Sequence, residues 1–152
     1  MKTHLGVGFW GGMPVNELID CVSLADAKGY ESAYLIESFA DAFSVLSACA
    51  RETKQIVLAT GVAIVFTRNP TTIAIAAATV DAISEGRFRL GLGVGHAEIY
   101  AARDNPEPTR PLSFSRPLRR LRETTEVVRA ILTGAARQQP VSYTGDIFTI
   151  TG

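Results

Sequence analysis

The sequence predicts an α/β fold built on a parallel sheet, and three observations carry that expectation. Short apolar runs alternate with helical patterns in the strict order β-α-β-α-β-α-β-α before a final hairpin-like segment. The runs 56–65 and 88–94 are almost continuously apolar, which marks strands buried on both faces. Between them lies a helix with clear punctuation, opened by Asn69-Pro70 and closed by Gly86, so that 56–96 reads as one strand–helix–strand unit. Alternation with double-sided burial favours a parallel sheet with right-handed crossovers.

Strand 1 is expected at Leu5–Trp10, bounded by Gly11-Gly12-Met13-Pro14. Helix 1 follows over Pro14–Lys28, with Leu18, Ile19, Val22, Leu24 and Ala25 at helical spacing and Gly29 in the left-handed position that ends it. Strand 2 is Ser32–Ile36, and helix 2 is Asp41–Thr53 with Asp41 as N-cap. Strand 3 covers Ile56–Val65. Helix 3 runs from Pro70 to about Ser84, and its alanines allow close packing on a sheet. Strand 4 is Phe88–Val94. The stretch Ala97–Phe114 holds Asn105-Pro106, Pro108 and Pro111 and reads as a long loop of the kind that is usually functional. Helix 4 is Ser115–Thr133, ended by Gly134, with Leu118, Leu121, Val127, Val128 and Leu132 as its buried stripe and the basic series Arg110, Arg116, Arg119, Arg120 and Arg122 as its solvated side. Val141–Ile150 reads as a hairpin turning at Thr144-Gly145-Asp146.

Composition bounds the function. The 152 residues are 47% apolar and 20% charged, a soluble globular balance large enough for one domain. Lys and Arg total 15 against 15 Asp and Glu, so no basic excess points to nucleic acid. No apolar run approaches the roughly 20 residues of a membrane span. The apolar stretch after Met1-Lys2-Thr3-His4 is too short for a signal peptide. Cys21 and Cys49 fall in expected helices without metal spacing, which suggests packing residues in a reducing cytoplasm. Neither metal-ligand spacing nor a G-x-S-x-G nucleophile elbow is present.

In parallel α/β sheets ligands meet the carboxyl ends of the strands. Those ends offer Phe9 and Trp10, then Glu37, Ser38 and Phe39, then Thr60, Gly61 and Val62 with Thr67 and Arg68 beyond, and finally Gly93, Val94, Gly95, His96 and Glu98. Aromatic rings, a carboxylate, an imidazole and glycine-exposed backbone suit a flat, heteroatom-rich ligand. Each has a plainer reading: Glu37 as a charge at the start of helix 2, His96 as a surface or capping residue, the glycines as packing sites. The run Gly91-Leu92-Gly93-Val94-Gly95 lacks the G-x-G-x-x-G spacing of a dinucleotide loop.

The block TGVAIVFTRNPTTIAIAAATVDAISEGRFRLGLGVGH, with LGVGFW before it and YTGDIF after it, resembles the luciferase-like monooxygenase superfamily, in particular its coenzyme F420-dependent branch. The resemblance implies a (β/α)8 TIM barrel carrying a flavin or deazaflavin at the strand ends. It implies a bulge in strand 3 with a non-proline cis peptide, which maps to Gly61–Val62. The cofactor would be coenzyme F420, with FMN as the alternative. It would be held by Phe9, Ser38, Thr60, Gly61, Val62, Gly93, Val94 and Gly95, with His96 and Glu37 as proton-handling catalytic residues. Relatives place an acidic residue after the strand-4 glycines, where this chain has His96. They often place Asp-His after strand 2, where Glu37-Ser38 stand here. The implied reaction is hydride transfer on a small organic substrate.

A full barrel of this type needs about 250 residues. Residues 1–152 are therefore expected to form a single luciferase-like domain equivalent to an N-terminal half barrel of about four β/α units, with 135–152 as a hairpin tail. Strands 1 and 4 would be open edges that favour association, and one sheet face would lack its opposing layer. Three readings stay open: a piece of a longer enzyme, two copies pairing into a homo-oligomer, or a non-catalytic binding or oligomerisation module.

Overall fold

The computed structural model describes residues 4–10, 12–38, 40–96 and 115–152. Phe39 and the expected loop 97–114, with Glu98 and Arg110, lie outside the described residues. The elements are β1 (Gly6–Phe9), α1 (Val15–Ala27), β2 (Ser32–Leu35), α2 (Ala42–Glu52), β3 (Val57–Thr60), β4 (Ala63–Ile64), α3 (Pro70–Ile83), β5 (Phe88–Arg89), β6 (Leu92–Gly93), α4 (Pro117–Arg137), β7 (Tyr143–Thr144) and β8 (Thr149–Ile150). The chain divides into two compact units, Met1–Ala63 with Ile75–Leu92 and Ile64–Ala74 with Gly93–Gly152.

The first unit is built on a parallel sheet of order β1-β2-β3-β5. Its register aligns Gly8, Tyr34, Ala59 and Arg89 in one row and Val7, Ala33, Leu58 and Phe88 in the next. Successive strand residues point to opposite faces. The row of Ala33, Leu58 and Phe88 is buried, with Phe88 set against Phe43 of α2 at 6.2 Å between ring centroids. On the other face Tyr34 is 45% exposed, and among the described residues Gly8 has no atom within 4 Å of where a Cβ would stand. Helices thus cover one side of this sheet, while the other side exposes Tyr34 and Arg89 with Ala59 buried between them. The rest of the core comes from Leu18 and Val22 of α1, Leu46 and Cys49 of α2, and Ala77 and Val80 of α3. Burial pushes the Cys49 thiol up to about 11 and keeps it protonated.

Local chemistry accounts for the helix ends. Asp41 caps α2 by accepting from the Ser44 N–H at 2.9 Å, and Asn69 accepts from the Thr71 N–H at 2.8 Å at the start of α3. At the end of α1, Gly29 is left-handed at φ +79, its N–H bonds the Asp26 carbonyl, and the Tyr30 N–H bonds the Ala25 carbonyl, which is a Schellman motif. The same pair of bonds closes α3, but Glu85, not Gly86, takes the first left-handed position at φ +56.

Several expectations are corrected. The expected strand 56–65 is two strands, β3 and β4, but the interruption falls at Gly61–Val62, where the bulge and cis peptide were expected, and that bond is cis. The expected strand 88–94 is likewise split into β5 and β6 around Gly91. Helix α4 does not stop at Gly134 but continues to Arg137, where Gln138 turns left-handed at φ +54. Gly134 is glycine for another reason: a Cβ there would collide with Val141 as the chain returns along the helix. Leu118 is 78% exposed and outside the buried stripe, which consists of Glu123, Thr124, Val127, Val128 and Gly134. The terminal hairpin pairs Tyr143 with Ile150 and Thr144 with Thr149, antiparallel.

Candidate active site

The register of the first unit brings three strand ends side by side, Phe9 next to Leu35 and Leu35 next to Thr60. The ladder continues one residue further: the Ile36 N–H bonds the Phe9 carbonyl at 3.2 Å and the Gly61 N–H bonds the Leu35 carbonyl at 2.8 Å. Glu37 and Ser38, both half-buried, follow directly. Phe9 lies in the row of Leu35 and Thr60, the buried side of the sheet, and the aromatic ring at this strand end that reaches solvent is Trp10, 76% exposed. Gly61 lies against Tyr34, whose Cβ is 3.2 Å from where a Gly61 Cβ would stand.

Thr60 ties its strand to the neighbouring Gly91. Its side chain is buried, its hydroxyl donates to the Gly91 carbonyl at 2.8 Å, and it accepts from the Gly91 N–H at 2.9 Å. The hydroxyl proton is committed to Gly91, so Thr60 braces the strand ends. Gly91 is required at this contact, because a Cβ would collide with the Thr60 carbonyl. The Ala63 N–H then bonds the Gly91 carbonyl at 2.8 Å, so the chain is anchored on both sides of Val62. Gly91 and Tyr34 were not singled out as site residues from the sequence. The glycine run contained Gly91, but spacing alone did not separate the glycine that meets backbone from its neighbours.

Gly93, Val94, Gly95 and His96 belong to the second unit. The Gly93 carbonyl accepts from the Val65 N–H at 2.9 Å, Gly95 is left-handed at φ +69, and His96 is exposed. Helix α4 supplies two residues that the sequence pattern had hidden. Arg120, expected on a solvated side, is half-buried: its Nε donates to the Val65 carbonyl at 3.1 Å, and its guanidinium lies 4.8 Å from the Phe66 ring centroid and 5.2 Å from that of Phe148. Glu123 is buried and accepts from the N–H groups of Asp146, Ile147 and Phe148 at 3.1, 2.9 and 3.2 Å. A Cβ on Gly145 would collide with that carboxylate, which explains the glycine of the hairpin turn. Arg119 pairs with Asp146. Burial and the Glu126 carboxylate, which accepts its phenol proton at 2.7 Å, push Tyr143 up to about 12.

Among the described residues, no group of three or more His, Cys, Asp or Glu is placed to hold a metal ion, and no helix is long and apolar enough to cross a membrane.

Comparison with known proteins gives this arrangement its context. The family model described as luciferase-like monooxygenase matches residues 2–152. The chain belongs to the luciferase-like monooxygenase family. A Mycobacterium tuberculosis protein provisionally named as a coenzyme F420-dependent oxidoreductase is 33% identical over 95% of the chain and 40% of its own length. A 5,10-methylenetetrahydromethanopterin reductase of Archaeoglobus fulgidus is 30% identical over 97% of the chain and 42% of its own. Among solved structures, the coenzyme F420-dependent tetrahydromethanopterin reductase of Methanopyrus kandleri superposes with a TM-score of 0.79 at 23% identity, covering 99% of this chain and 45% of that one. The oxygenating constituent of 3,6-diketocamphane monooxygenase from Pseudomonas putida, in complex with FMN, gives a TM-score of 0.78 at 18% identity, covering 99% and 44%. These likenesses show the fold, a part of the luciferase-like TIM barrel. The chain spans about two-fifths of the length of the curated relatives it matches.

Proposed function

We propose that this luciferase-like chain supplies one wall of the ring-binding site of a coenzyme F420-dependent oxidoreductase that moves a hydride to or from a small organic substrate in the cytoplasm. The observation that carries the reading is the 30–33% identity, along nearly the whole chain, to two relatives named as an F420-dependent oxidoreductase and a methylenetetrahydromethanopterin reductase. The residues present suit a flat ring. Among the described residues nothing stands in front of Gly8, and the backbone at Gly61–Val62 interrupts the strand without a bulky side chain at Gly61. Ser38, the Gly61–Val62 backbone and the Gly93–Val94–Gly95 backbone hold the ring. Phe9 and Thr60 act beneath it by keeping the strand ends in place. His96 is the proton donor or acceptor, and Glu37 is the second proton-handling group. The deazaflavin, when bound, supplies the carbon that gives or takes the hydride, and the chain supplies orientation and proton transfer.

FMN is the second reading. The fold likeness to an FMN-bound monooxygenase favours it, and it would substitute oxygen chemistry for hydride exchange. Titrating the purified chain with F420 and with FMN, each followed by ligand fluorescence, separates the two. F420 is expected to bind and FMN to bind more weakly. Binding of neither would reduce the chain to a non-catalytic binding or oligomerisation module. In an active preparation His96→Ala is expected to lower turnover by about 100-fold with little change in ring affinity, as for loss of a general acid or base. Unchanged turnover removes His96 from the mechanism.

A further inference from the structure

We propose that Arg120 is a positioning residue for the Gly93–His96 segment and that the 143–150 hairpin bears on that segment through it. Residue 65 is held from both sides. Its N–H donates to the Gly93 carbonyl at 2.9 Å, and its carbonyl accepts from Arg120 Nε at 3.1 Å. The next residue, Phe66, is buried beneath the same guanidinium, and Phe148 of the hairpin lies within 5.2 Å of it. One planar cation thus touches the strand that pairs with Gly93, the ring next to it, and the hairpin.

The hairpin has its own anchor one turn along α4. Glu123 holds the N–H groups of residues 146–148, which fixes where Phe148 stands. The order of contacts is therefore Glu123 to the turn, Phe148 to Arg120, Arg120 to Val65 and Val65 to Gly93, all within the second unit. Gly93 opens the glycine-containing segment, with Gly95 left-handed, that leads to His96. Such backbone has little stiffness of its own, and the ladder at Val65 supplies it. Lysine would keep the charge but not the flat fork that bonds a carbonyl while lying against two rings.

The positioning claim stands on these contacts alone, and its consequence for the ligand rests on the ring-binding reading above. Amide hydrogen exchange on the whole chain tests the first part. Arg120→Ala is expected to raise exchange at the Val65 N–H by about tenfold or more through local opening. Arg120→Lys should fall between Ala and wild type, and millimolar guanidinium should restore protection in Arg120→Ala. Unchanged protection at Val65 overturns the proposal. If Arg120→Ala does not fold, the same measurement on Arg120→Lys and Phe148→Leu decides it, and both must loosen Val65. Titration with F420 and FMN tests the second part. Arg120→Ala is expected to weaken ring binding by about tenfold, with guanidinium rescue. A wild-type chain that binds neither ligand overturns the ring-binding reading while leaving the exchange result to judge Arg120. A looser Val65 with unchanged ring affinity overturns the link from Arg120 to the site.

Discussion

Asp26 stands at the end of α1 and closes the turn between α2 and β3. Its Oδ2 accepts from the Lys54 N–H at 2.8 Å, and its Oδ1 accepts from Gln55 at 3.1 Å and Ile56 at 2.7 Å. Burial raises the carboxyl pKa, but the three N–H donors and the Arg87 charge outweigh it, so Asp26 titrates below the ordinary carboxylate value. A depressed folded value means that Asp26 contributes stability above the unfolded carboxylate pKa of ~3.9, and the contribution is lost as pH falls through the lower folded value. Asp26→Asn should flatten the acid limb of a stability–pH profile measured by urea unfolding, and identical limbs would refute this. Asp26→Ala is expected to cost on the order of 1–3 kcal/mol, because it leaves the three N–H groups without their acceptor. Thr124 is the opposite case. Its hydroxyl is fully buried with no hydrogen-bond partner among the described residues. Thr124→Val keeps the shape and removes the unmet group, so the variant should be neutral or more stable by about 1 kcal/mol in the same assay. A clear loss would mean that the hydroxyl has a partner. Neither role was legible in the sequence, since nothing local ties residue 26 to 54–56 or tells that a threonine in a helix faces inward.

At the scale of elements, the helix ends were the most readable features, and they also hold the clearest misreading. Asp41, Asn69-Pro70 and Gly29 act as their residue types suggest, because capping needs only a short side-chain acceptor, a missing N–H or a left-handed backbone. Gly134 looked like the same signal for α4. Glycine, however, also serves where another segment crosses closely, and Val141 does so here. Gln138 instead occupies the left-handed position at φ +54. Gln138→Gly should therefore stabilise the chain slightly, by about 0.5–1 kcal/mol, while Gly134→Ala should destabilise it. Thermal melting of the two variants checks both signs, and the reverse order would place the helix end at Gly134. Elsewhere the arginine series of α4 was read as one solvated side. Arg119 and Arg122 pair at the surface with Asp146 and Glu126, whereas Arg120 turns inward to Val65. Identical residue types one position apart on a helix cannot be told apart without knowing what lies opposite.

For the whole molecule, the order of strands and helices was legible, and so was a sheet face without its opposing layer, because a half-length barrel leaves one. The parallel order β1-β2-β3-β5 follows from alternation and apolar runs. One face nevertheless presents Gly8, a 45% exposed Tyr34 and Arg89 to solvent. An open parallel sheet of this kind is unusual, because such sheets are ordinarily covered on both faces. We expect the isolated chain to associate with itself in a concentration-dependent way, as open strand edges favour. Sedimentation measurements at micromolar concentration check this, and a strict monomer would show that the face is stable in water. Where the strands end was legible from position along the chain, as at Gly61, where β3 stops, and at Gly93, where β6 stops. The direction of the side chains there was not, as for Phe9 and Thr60 on the buried side and Trp10 in solvent.

By itself the sequence determined the α/β order, the capping of α2 and α3, and membership of the luciferase-like family, because each depends on local residue chemistry or on a long colinear pattern. Tertiary structure alone decided that Thr60 braces Gly91, that Arg120 and Glu123 of α4 hold Val65 and the hairpin turn, and that the two parts of strand 3 are anchored to Leu35 and Gly91. Those outcomes join residues about 25 to 55 positions apart, and which partner a polar group finds at that distance is set by packing, not by its neighbours in the chain.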